Sequence, residues 1–258
     1  MADRIIDDIS LVRAANPGPM TLTGTNTYIV GAAEQRPVVV DPGPLDEAHL
    51  TAIVDACPRG AGTIVLTHWH HDHSEAAADL AARLGCPVRA VDERYRLGEL
   101  GLADGDSIDA GSCTVDVIAT PGHTADSVCL LVRTPGGAWL LTGDTVLGTG
   151  TSVIMHPDGH LGSYLDSIDR LTAVVAAEKV ERLLPGHGPV VDDPAGWLAF
   201  YRQHRRERLE QVREALAAGD TTAAEVVARV YADVDRSVWP AAERSVAAQL
   251  QFLAETAS

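Results

Sequence analysis

The segment Thr67-His68-Trp69-His70-His71-Asp72-His73 sets His68, His70, Asp72 and His73 in the spacing His-x-His-x-Asp-His. Neutral imidazole and carboxylate are the nitrogen and oxygen donors that zinc takes. The preceding run, Thr63-Ile64-Val65-Leu66, is apolar and β-branched and predicts a buried strand. The following run, Ser74 to Leu84, is rich in alanine and predicts a helix with Ser74 as its N-cap. Four ligand-type side chains thus share one tight strand-to-helix connection, which can aim alternate side chains at one point. A lone loop histidine is usually solvated, but four such groups at this spacing predict a metal site.

Three later segments have the same design. Pro121-Gly122-His123-Thr124 follows the strand-like run from Cys113 to Ala119. Leu140-Leu141-Thr142-Gly143-Asp144-Thr145 is a short apolar strand ending in an aspartate, and Leu183-Leu184-Pro185-Gly186-His187-Gly188-Pro189 repeats it with a histidine. In each, the ligand-type residue stands at a strand end beside glycine, where the backbone is free to turn and approach closely. These four blocks, in this order, resemble the metallo-β-lactamase fold superfamily. The segment from Asn16 to Tyr28 and the helical C-terminal stretch resemble its lactamase-β-2-like branch. The resemblance implies an αβ/βα four-layer sandwich, with a small all-helical module of winged-helix type appended. Strand-helix alternation alone predicts only an α/β class.

By the same resemblance, His68, His70 and His123 hold a first zinc, Asp72, His73 and His187 a second, and Asp144 bridges them. Iron or manganese can replace zinc where supply favours it. Such a pair shares a hydroxide that attacks the substrate, and zinc lowers the pKa of bound water toward about 7. Asp72 is the expected catalytic residue, orienting the hydroxide and relaying a proton. True zinc β-lactamases typically lack the bridging aspartate, so Asp144 directs the expectation toward phosphodiesters or thioesters. Di-iron oxygen reductases of this fold commonly carry glutamate where this chain has His70.

Asp41, after the strand-like Val38-Val39-Val40, matches the family's first motif and is expected to orient the ligand loops through hydrogen bonds. Thr67 and Thr145 flank ligands and are candidates for bonds to backbone or ligand. Tyr164 and Asn26 are the expected substrate-lining residues. His71 should point away from the metals. His156 and His160 fit a surface loop, and His49 and His204 fit the exposed faces of amphipathic helices. The one dense basic segment, Arg202 to Glu214, carries Glu207, Glu210 and Glu214 among its arginines, the pattern of a helix surface laced with ion pairs.

The elements around these residues divide the 258-residue chain in two: a hydrolase domain over 1–193 and a helical appendage over 194–258. Predicted helices run over 45–56, 162–177, 197–218, 222–232 and 240–255. Almost no sequence remains for a β-wing after the last of them. Net charge is −16, from 20 Lys+Arg against 36 Asp+Glu, which disfavours double-stranded DNA as a partner. No apolar run reaches the ~20 residues of a membrane span, so no membrane partner is expected. The start lacks a basic leader with an apolar core, and the widely spaced Cys57, Cys86, Cys113 and Cys129 fit reduced thiols. Both point to a cytoplasmic protein. The leading expectation is a dinuclear zinc phosphodiesterase or endoribonuclease acting on single-stranded RNA. The alternative is a thioesterase of the glyoxalase II type acting on a small-molecule acyl thioester, and a β-lactamase ranks lower.

Overall fold

Alternating strand residues sort the apolar side chains of this chain onto two faces of each sheet. The computed structural model describes residues 2–256. Strands β1 (Asp3–Ile6), β2 (Ile9–Arg13), β3 (Asn26–Val30), β4 (Val38–Val40), β5 (Thr63–Val65) and β6 (Val88–Arg89) form a six-stranded sheet in that spatial order. Strands β7 (Ser107–Asp109), β8 (Thr114–Ala119), β9 (Val128–Thr134), β10 (Gly137–Gly143) and β11 (Arg182–Pro185) form a second sheet, ordered β11-β10-β9-β8-β7. Pairs β4-β5, β5-β6 and β10-β11 are parallel, and the others are antiparallel.

The period of two is visible in the packing. Val38, Val40 and Val65 face the second sheet, where they meet Val128, Leu130, Val132 and Leu141 in the central core. Val39 and Ile64 face outward, onto α1 (Glu47–Ala56) and α3 (Ala77–Leu84). Cys129, Leu131 and Leu140 face the other way, onto α4 (Leu161–Glu178) and the first half of α5 (Pro194–Ala217). The result is helix, sheet, sheet, helix, the expected four layers.

The predicted helices form with small shifts at their ends. Asp193 caps α5 by accepting from Gly196 N–H, with Pro194 in the first turn. Thr222 and Glu225 cap α6 (Ala223–Val230) reciprocally, and α7 runs Trp239–Thr256. Along α5, Leu198, Tyr201 and Leu209 pack on the second sheet, whereas Val212 and Ala215 pack on Val226, Val227 and Val246 of α6 and α7. One 24-residue helix therefore ties the module to the sandwich. No strand follows β11 among the described residues, so the module has no wing there. No helix of the described residues is long and apolar enough to cross a membrane.

Two local expectations are overturned. Ser74 does not cap the alanine-rich helix; it ends a one-turn helix, α2 (His71–Ser74), and its Oγ donates to the Trp69 carbonyl at 2.8 Å. The turn starts early because the amides of both His73 and Ser74 bond back to the His70 carbonyl. His49 is not on the surface but 4% exposed, its Nε2 lying 2.9 Å from Thr27 Oγ1. Gly43 allows this: a Cβ there would meet His49 Nε2 at 2.9 Å.

Candidate metal centre

Five strands end at one edge of the sandwich, and each delivers a site residue just beyond its carboxyl end. β4 leads to Asp41, β5 to His68–His73, β8 to His123, β10 to Asp144 and β11 to His187. Their donor atoms converge in three overlapping groups: His68, His70 and His123; His68, His73 and Asp144; and Asp72, His73 and His187. All seven expected ligands are brought together. Glycine makes the approach possible, since a Cβ on Gly186 would lie 2.8 Å from Asp144 Oδ1 and from the His73 ring.

Hydrogen bonds fix which ring nitrogen faces inward. The Val153 carbonyl can only accept, so His123 Nδ1 donates to it and leaves Nε2 as a lone pair. Thr67 Oγ1 gives its proton to Asp41 Oδ2 at 2.7 Å and so accepts from His68 Nδ1 at 3.1 Å. Both Nε2 atoms then point at His70 Nδ1, from 2.9 Å for His68 and 3.1 Å for His123. The inward lone pairs of His68 and His123 thus converge on His70 Nδ1, and a cation held among the three nitrogens would satisfy them together. Burial, aided by the nearby imidazoles, holds the His68 pKa well below its ordinary value and pushes that of His70 down to about 4. Burial also lowers that of His123, although Asp144 opposes it.

The second group carries the acids. Asp144 Oδ1 lies 3.4 Å from His73 Nε2, and its Oδ2 lies 3.4 Å from His187 Nε2 and 3.9 Å from His123 Nε2. This one carboxylate therefore reaches both groups, as a bridging ligand must. Burial opposes the charged form of His73, but Asp144, Asp41 and Asp72 outweigh it and hold its pKa well above the ordinary value. Burial likewise opposes His187, yet Asp144 and Asp72 raise it to about 9. Burial disfavours ionised Asp144 too, and His187 and His73 overcome it, so its carboxyl stays ionised. Buried anions thus draw positive charge onto their neighbours, and Asp144 Oδ1 has no hydrogen-bond partner. The donor set and its charge fit divalent ions, whose binding would displace the imidazole protons.

Asp41 bonds the loop that carries four of these residues. Its Oδ1 accepts from Thr67 N–H at 2.8 Å, and its Oδ2 accepts from Thr67 Oγ1 at 2.7 Å and from His73 Nδ1 at 2.9 Å. Its φ of 53° is left-handed, which costs a non-glycine residue about 1–3 kcal/mol. Three bonds to a charged group, each worth about 1.5–3 kcal/mol, outweigh that strain.

Tyr164 and Asn26 are not substrate contacts. Tyr164 is fully buried, donates to the Thr145 carbonyl at 2.6 Å, and lies beneath the Arg205 guanidinium at 4.8 Å. A Cβ on Gly122 would strike its Cα at 2.4 Å, so the backbone beside His123 packs directly on it. Asn26 is 1% exposed and donates to the Pro185 and Gly188 carbonyls, bracing the loop that carries His187. Both support ligands from behind. His71 is exposed. His160 has a role beyond a surface loop: it caps α4 and bonds Glu255. His204 is half-buried on α5, its Nδ1 without a partner.

The charges give a testable pH dependence in protein stripped of metal. Free histidine titrates near pH 6.5. His187, raised to about 9, contributes stability that is full below pH 6.5 and is lost as pH rises through 9. His70, lowered to about 4, resists protonation, so stability falls as pH drops from 6.5 through 4. Thermal unfolding of the stripped protein should be highest near pH 6.5 and lower on both sides. A curve still rising at pH 9 would contradict this charge arrangement.

Comparison with known proteins agrees with the geometry. Residues 20–187 match the model of the metallo-beta-lactamase superfamily, and residues 222–256 match the beta-lactamase associated winged helix domain. A Drosophila melanogaster beta-lactamase-like protein 2 homolog is 30% identical over 267 residues, covering 94% of this chain and 86% of its own. An atrochrysone carboxyl ACP thioesterase from Aspergillus chevalieri is 30% identical, covering 91% of this chain and 77% of its own. In fold, the crystal structure of a metallo-beta-lactamase family protein from Thermus thermophilus superposes with a TM-score of 0.81 at 21% identity, covering 98% of this chain and 95% of that one. With the family match across the sandwich and its seven metal-ligating side chains converged, the chain belongs to the metallo-beta-lactamase superfamily, as a metallo-hydrolase with a C-terminal helical module.

Proposed function

We propose that the chain is a dinuclear zinc thioesterase, hydrolysing an acyl thioester to a carboxylate and a thiol. The observation that carries this over RNA cleavage is the condition of the basic helix. A phosphate backbone is tracked by a row of cations on an open surface, but Arg205 is only 4% exposed and α5 turns it inward. Arg202 pairs with Asp169 at 3.3 Å, Arg213 pairs with Glu210, and Arg208 lies over the Tyr231 ring. The thioesterase among the relatives supports the same reading.

His68, His70 through Nδ1, and His123 would hold one ion, Asp72, His73 and His187 the other, with Asp144 between them. When bound, the ions would polarise the scissile carbonyl and supply a water that ionises near neutral pH. Burial works against ionised Asp72, but His73 and His187 overcome it and keep its pKa low. Its side chain is 30% exposed, against 11% for Asp144, so it is the carboxylate the substrate meets. Asp72 would also orient the attacking water and take its proton. Water oxygen bonds to the acyl carbon, the C–S bond breaks, and the proton passes to the departing thiolate.

Protein purified without chelator should carry close to two ions per chain by elemental analysis. It should hydrolyse acyl thioesters in preference to single-stranded RNA, a small phosphodiester and a β-lactam, and lose that activity on chelation. Preferential, metal-dependent RNA cleavage would overturn the thioester reading, and a ratio near one would overturn the dinuclear one.

A further inference from the structure

A cavity of about 370 Å³ lies where the sandwich meets the helical module. That is the size of a small-molecule site, about 300–1,000 Å³. Its walls come from the loop carrying Met20 and Leu22, the segment from Leu147 to Val153, α5, and the Tyr231–Ser245 region. No metal ligand lines it, but its wall segments touch the loops that carry two of them. Val153 supplies the carbonyl that holds His123, the Gly148 amide bonds the His187 carbonyl, and Leu22 sits 3.2 Å from where a Gly188 Cβ would be.

The lining is mostly apolar. In a chain of net charge −16, no acidic side chain lines it among the described residues, while Arg205 and Arg208 do. Arg205 is the more telling. It is 4% exposed, its Nε has no acceptor, and among the described residues no carboxylate lies within ion-pair distance. The groups that compensate it are the Ser152 carbonyl and the Tyr164 ring face. A buried cation without a counter-ion is costly to a folded chain, and an anion brought by a ligand would relieve that cost.

We propose that this cavity binds the apolar acyl portion of the substrate, together with an anionic group that the acyl portion carries. The proposal rests on the thioester reading for its link to catalysis, but not for binding itself. The helical module thereby helps to select substrate: it supplies half the cavity, and α5 carries both arginines into it.

Decanoate and 1-decanol, of equal chain length, are suitable probes for calorimetric titration of the full-length protein, before and after chelation. Decanoate should bind at least tenfold more tightly than decanol, and should still do so after metal removal. Arg205→Gln should abolish most of that preference. Ala241→Trp, which fills the cavity from the module side, should abolish binding of both. Neither position belongs to the metal centre. Decanoate binding that vanishes with the metal would place the carboxylate on the ions and overturn the proposal. So would binding that is absent, or indifferent to both substitutions. Decanoate bound as expected by a protein that leaves acyl thioesters intact would uphold the cavity and refute the thioester reading. Thioester hydrolysis unaffected by Ala241→Trp at every acyl length would do the reverse.

Discussion

Asp72→Ala is expected to lower turnover by about 10²–10⁴-fold, the range of a positioned acid–base group, while leaving the fold intact. Asp72 lies in the one-turn helix α2, outside every hydrophobic core cluster. Its Oδ2 stands 3.1 Å from His187 Nε2 and 3.7 Å from His73 Nε2. Removing it takes away one donor of the second group and the more accessible of the two carboxylates beside it. Asp72→Asn would keep the shape but not the basicity, and should be impaired in turnover more than in KM. Circular dichroism and metal content should accompany the kinetics. A folded Asp72→Ala protein with near-normal turnover would refute the assigned role.

The seven ligand-type residues were legible in the sequence because four share one strand-to-helix connection, while His123, Asp144 and His187 each follow a glycine just beyond a strand. The four layers follow from strand alternation once the family pattern sets the order. The misplacements have a common physical cause: they concern which way a side chain points. Asn26 faces inward because its amide meets the Pro185 carbonyl, 159 positions away, and no local pattern reports such a partner. Tyr164 opens α4 near the site, but helix phase turns its ring onto Arg205 and its hydroxyl onto Thr145. Arg205 itself read as one cation in a basic surface helix. Charge interleaving along 202–214 correctly suggested ion pairs, yet could not distinguish the residue that α5 turns inward beside Leu198, Tyr201 and Leu209. His49 is buried for the same reason, since α1 turns its ring toward Thr27.

Asp144→Ala tests the shared centre more severely than any outer support would. Changing an outer hydrogen-bond partner such as Asp41 typically costs about 10–100-fold in metal affinity or activity. Asp144 is a donor in its own right and touches both groups, so the loss should exceed that range. Metal content should fall from two ions per chain toward one or fewer. The same change has a second signature that needs no substrate. Asp144 is the largest of the attractions that raise the pKa of His73 and of His187. Without it, burial acts on both rings with less opposition, and their pKa values move down toward those of His68 and His70. In stripped protein the stability lost between pH 6.5 and 9 should therefore shrink, because less of the native proton uptake remains to be reversed. A variant that keeps two ions and the wild-type alkaline limb would show that Asp144 neither bridges the metals nor sets the charge of this centre.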